Sequence, residues 1–143
     1  MIITKDFPRF IKRIWIMNFL TVFTRYNGRL SMFRFDTVIE GKKVEGITTG
    51  TRVRGEKGFY EPIICRKRSE KRNRVRCRLS KGHDVIYCDG GMLVKHSGQL
   101  TKLRSLKDHD GWEIVPVSDS FLYIGLITPS RSIMVCGLVF YYS

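Results

Sequence analysis

Alternation with a period of two runs through most of this chain and predicts strands. In Arg72-Asn73-Arg74-Val75-Arg76-Cys77-Arg78-Leu79 it places Arg72, Arg74, Arg76 and Arg78 on one side of an extended strand, and Asn73, Val75, Cys77 and Leu79 on the other. Same-face arginines then stand about 6.6 Å apart, close to the spacing of phosphates along a nucleic-acid strand. Four like charges in a row repel one another, and a strand that needed only solubility would carry acids among them. Glu70 is the one acid nearby. The plain alternative is a solvated edge strand that its charges keep from aggregating.

The pattern before this strand predicts a short helix and then hairpins. Phe7, Phe10, Ile11 and Ile14 recur at helical spacing behind Asp6 as N-cap and Pro8 in the first turn, with Arg9, Lys12 and Arg13 opposite. From about Asn18 the period shortens to two. Phe19 to Tyr26 and Arg29 to Phe35 flank Asn27-Gly28, a signal for a type I′ turn, with Val22 opposite Phe33 and Leu20 opposite Phe35. A second turn at Glu40-Gly41-Lys42 leads into Lys43 to Thr48, and Thr51-Arg52-Val53-Arg54 repeats the arginine alternation in miniature. Phe59 to Arg66 is predicted to pair with the arginine strand through a turn at Ser69-Glu70, giving an antiparallel β-meander.

After Gly82 two readings of the pattern compete. Ser97 can cap a helix over about 98–109 in which Leu100, Leu103 and Leu106 share a face and Gly111 ends it; alternatively the segment is a strand. The leucine spacing leans to the helix. Phe121 to Thr128 and Ser132 to Tyr142 flank the turn Pro129-Ser130-Arg131, and their two-sided apolar character predicts a hairpin buried within the sheet. Trp112, Phe140, Tyr141 and Tyr142 read as core, with Tyr142 also a candidate stacking surface. The whole is expected to be mainly β (α+β): one compact domain over 1–143, or alternatively a basic meander over 1–81 and an SH3-like β subdomain over 82–143.

Charge changes the picture more than composition does. The 143 residues carry a net charge of +13 and are 43% hydrophobic, enough apolar material for a packed core. The charge is uneven: residues 1–82 hold 21 Lys plus Arg against 7 Asp plus Glu, and residues 83–143 hold 5 against 6. Nine of those basic residues fall within 66–81. Such a patch attracts polyanions with an affinity that falls steeply with salt. The four cysteines, Cys65, Cys77, Cys88 and Cys136, form no CxxC pair and no disulfide framework. The ligand types Cys65, Cys77, His83, Cys88 and His96 share one span, but their spacings match no compact zinc knuckle, so no metal is expected. The uncharged run from Ile14 to Thr24 is too short to cross a bilayer and precedes no small-residue cleavage site, which points to a cytoplasmic protein, in the host cytoplasm if the chain is viral.

Gly82, Val85, Tyr87, Gly90, Gly98 and Leu100 resemble the KOW motif of ribosomal and transcription-elongation proteins, although Asp84 is shifted by one place and one residue is added before Gly98. The resemblance implies a small SH3-like barrel that contacts RNA, DNA or a protein. Leu103, Leu106 and Gly111-Trp112-Glu113-Ile114-Val115 are similar to the helix-to-strand join of a family of small bacterial domains of unknown function, which implies nothing about activity.

Catalytic patterns are thin. Glu40-Gly41-Lys42 with Asp36 fits the acid-and-lysine part of a metal-dependent nuclease, but a glycine directly after a strand is more simply a turn. The sequential pairs His83-Asp84 and His109-Asp110 point to opposite faces of a strand, and no phosphate loop or nucleophile elbow occurs. No enzyme and no cofactor are expected. The leading expectation is a nucleic-acid-binding protein, for DNA or RNA, with little sequence preference. Arg72, Arg74, Arg76 and Arg78 would contact phosphates, Arg66, Lys67, Arg68, Lys71 and Lys81 would widen the patch, and Tyr60 with Phe59 would stack on bases. The rival expectation is a phage or viral accessory or assembly protein that docks on an acidic protein partner.

Overall fold

The computed structural model describes residues 32–69 and 75–142, and over them the chain is mainly antiparallel β-structure. Fifteen strands occur in chain order: β1 (Phe33–Arg34), β2 (Val38–Ile39), β3 (Lys42–Lys43), β4 (Arg52–Arg54), β5 (Tyr60–Pro62), β6 (Cys65–Ser69), β7 (Arg76–Lys81), β8 (Asp84–Asp89), β9 (Leu93–His96), β10 (Gln99–Lys102), β11 (Asp108–His109), β12 (Trp112–Val117), β13 (Tyr123–Ile127), β14 (Ser132–Val135) and β15 (Leu138–Tyr141). Short 3-10 turns at Val44–Gly46 and Leu103–Ser105 are the helical elements among the described residues. No helix there is long and apolar enough to cross a membrane.

Seven strands form one open sheet in the order β11-β12-β7-β8-β1-β13-β6, and β10-β9-β15-β14 form a second. The pairs β2-β3 and β4-β5 stand as separate hairpins. The larger sheet takes strands from both halves of the chain. One buried cluster includes Phe33, Cys77, Leu79, Ile86, Cys88, Ile114, Ile124 and Leu126 from that sheet and Val94, Ile133, Val135, Leu138 and Phe140 from the smaller one. Phe33 and Phe140 meet edge to face across the two, with ring centroids 5.3 Å apart.

Two-residue turns set the registers. Glu40-Gly41, Ser97-Gly98, Asp110-Gly111 and Cys136-Gly137 each have both residues at positive φ, the geometry that matches the right-handed twist of a hairpin. The Glu40-Gly41 turn agrees with the sequence expectation. The next two turns settle the region after Gly98 against a helix: β9 and β10 pair from Gln99↔His96 to Lys102↔Leu93, a 3-10 turn follows, and β11 pairs with β12. A left-handed Ser97-Gly98 pair folds the chain back where a helix would have to continue. Cys136-Gly137 likewise splits the expected single strand 132–142 into β14 and β15.

Other expectations need correction. The open sheets make neither a sequential meander nor a closed SH3-like barrel. Phe33 pairs with Cys88 on one side and Ile124 on the other, and Val22, its expected partner, lies outside the described residues. The rest of the Asn27-Gly28 hairpin, and the N-terminal helix, lie outside the described residues. The tail strands do not pair with each other: β13 is interior, between β1 and β6, while β14 pairs with β15. Its five buried residues fit that interior place. Trp112, Phe140 and Tyr142 are core residues, and Tyr142 is no stacking surface, because its buried hydroxyl lies 2.6 Å from the Thr128 amide that donates to it.

Candidate nucleic-acid interface

β7 keeps the alternation that its sequence predicts and loses the exposure. Cys77 and Leu79 face the core, and Arg76 and Arg78 lie on the opposite face. The strand is not at an edge: β12 and β8 flank it. Its hairpin with β8 turns at Gly82-His83, which brings Asp89 opposite Arg76. Arg76 is only 3% exposed, its Nη1 donates to Asp89 Oδ2 at 3.1 Å, and its guanidinium lies 3.8 Å from the Tyr123 ring centre. A buried charge so held serves the fold and is not presented to phosphate. Beside it, Arg34 stacks on Tyr87 at 3.6 Å and forms a two-pronged pair with Asp36, Nε–Oδ1 2.7 Å and Nη2–Oδ2 2.8 Å. This pair raises the Arg34 pKa and holds the Asp36 carboxyl below its ordinary value.

The expected patch is divided. β6 does not pair with β7; it forms the far edge beyond β13, four strand spacings or about 19 Å away. On β6, Arg66 is half-buried and its Nη2 donates to the Glu45 carbonyl at 2.7 Å, Lys67 is half-buried, and Arg68 is exposed. On β7, Arg78 is half-buried and Lys81 is exposed, its side chain running beside Gly111. Lys71, Arg72 and Arg74 lie outside the described residues.

Tyr60 is exposed, but its strand β5 pairs with β4, not with β7. There Arg54 is its register partner: Arg54 Nη2 donates to the Tyr60 hydroxyl at 3.0 Å, and the guanidinium sits 4.6 Å from the ring centre. Phe59, 76% exposed, is next to it. Arg52, Arg54 and Lys57 are exposed on the same hairpin, while Val53 points into the core. Glu40 tempers the charge, with Oε1 3.9 Å from Arg54 Nε. The structure thus brings together basic and aromatic groups on β4-β5, using the miniature alternation of Thr51 to Arg54. The alternation was the legible signal, although the nine basic residues of 66–81 outweighed it.

The fold is similar to that of an intein. The crystal structure of the MchDnaB-1 intein superposes with a TM-score of 0.53 at 12% identity, covering 79% of this chain and 99% of that one. No family model and no curated protein matches. The likeness overturns the expectation that catalysis could be set aside: this chain shares its fold with a self-splicing protein element, so missing short motifs are no ground for excluding chemistry.

Cys77 and Cys88 are buried register partners on β7 and β8. Burial pushes the Cys77 thiol up to about 11 and the Cys88 thiol well above its ordinary value, which keeps both protonated and weakly nucleophilic. Cys136 lines an open cavity of about 320 Å³ with Arg34, Asp36, His83, Asp84 and Tyr87, and burial followed by the charge of Asp84 raises its pKa also. Asp36, the acid considered for a nuclease, is committed to Arg34. Among the described residues no three His, Cys, Asp or Glu side chains cluster as a metal site.

Proposed function

We propose that this chain binds single-stranded nucleic acid through the β4-β5 hairpin, with the basic residues of β6 and β7 extending the electrostatic attraction. The observation that carries the reading is the exposed Phe59 and Tyr60 pair beside the guanidinium of Arg54, on a strand that also presents Arg52. Aromatic faces stack on any base, and flanking cations track the backbone, so binding of this kind is tolerant of sequence. Fluorescence anisotropy with matched single-stranded RNA, single-stranded DNA and duplex DNA at several salt concentrations tests the proposal. Replacing Phe59 and Tyr60 together by Ala is expected to weaken single-strand binding about tenfold or more, at about 1–3 kcal/mol per stacked base, and to leave the duplex less affected. Absence of binding near physiological salt would refute it.

The intein-like fold favours a second reading, self-processing of the chain. Intact-mass measurement after expression decides it. A processed chain falls short of 16.7 kDa by a whole number of residues, and an unaltered mass after prolonged incubation counts against this reading.

A further inference from the structure

His96 and His109 come from different sheets and meet ring nitrogen to ring nitrogen. His96 ends β9 of the four-stranded sheet, and His109 ends β11 at the edge of the seven-stranded one. Their Nδ1 atoms are 3.0 Å apart, the ring centroids are 5.3 Å apart, and the planes are inclined at 52°. Both side chains are half-buried, so both can be reached from solvent.

We infer that His96 and His109 form a two-histidine site for a divalent transition-metal ion of the zinc, nickel or copper class, held between the two Nδ1 atoms. At metal–nitrogen distances of about 2.0–2.1 Å, two imidazole nitrogens stand about 2.9 Å apart at right-angled positions and about 3.3 Å apart in a tetrahedron. The observed separation lies between these values. A small rotation of two half-buried rings therefore suffices to admit the ion. Without metal, one neutral ring donates its Nδ1–H to the other; with metal, that proton moves to Nε2 of the same ring through solvent, and both Nδ1 lone pairs are given to the ion. A neutral pair thus binds with no net proton release. Among the described residues no third His, Cys, Asp or Glu side chain completes the set, so water fills the remaining positions and the ion is exchangeable. The site would pin β9 to β11 and so tie the two sheets at their rim.

The test is calorimetric titration of the tag-free full chain with Zn²⁺, with long-range ¹H–¹⁵N spectra of the imidazoles recorded beside it. One ion per chain is expected, with affinity reduced at least tenfold in His96→Gln and in His109→Gln and unchanged in His83→Gln. Zn²⁺ should move the Nδ1 resonances of His96 and His109 and leave those of His83 in place. Equal affinity in the wild-type chain and both variants, unmoved Nδ1 resonances, or no heat at millimolar Zn²⁺ would each overturn the assignment. Far-UV circular dichroism of the variants separates a lost ligand from a lost fold: a variant that has lost its strand signal is replaced by the corresponding Asn variant, to which the same criteria apply.

Discussion

At Arg76 a charge stands in a row of arginines and is withheld from solvent by its neighbours. Asp89 opposite it in the hairpin and the Tyr123 ring across the sheet both compensate the guanidinium. Removing one partner of such a pair leaves the other charge buried, a loss of about 3–5 kcal/mol, whereas a half-exposed arginine is worth far less. Arg76→Gln is therefore expected to lower unfolding stability in urea by about 3 kcal/mol and Arg78→Gln by less than about 1 kcal/mol. Equal losses would mean that Arg76 is not held as described. The distinction was partly legible: a two-residue turn at Gly82-His83 puts Asp89 opposite Arg76 by counting alone. Burial was not, because it depends on which strands flank β7. Asp36 gives a pH signature of known sign. Its folded pKa lies below the ordinary 3.8, so its pair with Arg34 contributes stability above that value and loses it as pH falls through the lowered one. The pair is partly exposed, so the effect is under about 1 kcal/mol. The Asp36→Asn variant should show a flatter decline in stability below about pH 4 than the wild type, and parallel curves would argue against the pairing.

Turns carry most of the information at the scale of the strands and hairpins. Asp110-Gly111, Ser97-Gly98 and Cys136-Gly137 each hold a glycine near φ +80 after a residue near φ +51. Such pairs were written in the sequence, but leucine spacing after Gly98 competed with them, since Leu100, Leu103 and Leu106 fit a helical face as well as they fit a hairpin followed by a 3-10 turn. Cys136-Gly137 was hidden by a long apolar run on both sides. Gly137 has φ +79 and nothing within 4 Å of an added Cβ, so a substitution there meets backbone strain without a clash. Gly137→Ala is expected to cost about 1–2 kcal/mol, the penalty of a left-handed residue with a side chain. Gly46, whose φ is not positive and whose added Cβ meets open space, provides the control. Its replacement by Ala should change stability by less than about 0.5 kcal/mol in the same denaturation assay. A Gly137 variant as stable as the wild type would refute the left-handed turn.

The order of the larger sheet, β11-β12-β7-β8-β1-β13-β6, joins residues far apart in sequence, so a local pattern that names strands correctly still leaves their neighbours open. That is why the basic patch came apart while the basic and aromatic hairpin came together. It also fixes how the charge can act. The described residues carry 17 of the 26 Lys and Arg and 11 of the 13 Asp and Glu, so the larger part of the net +13 lies in residues 1–31 and 70–74. A polyanion bound to the whole molecule feels both parts. Replacing Arg52, Lys57 and Arg68 by Gln removes three exposed charges from β4-β5 and β6 without touching the buried Arg76 pair. Each phosphate contact on a single strand contributes about 0.7 to the slope of log affinity against log salt. If all three contact phosphate, the variant's slope should be flatter by about 2 units and still far from zero, the remainder coming from the other basic residues. An unchanged slope with unchanged affinity would remove the hairpin from the interface, and a slope falling to zero would place the entire electrostatic contribution there.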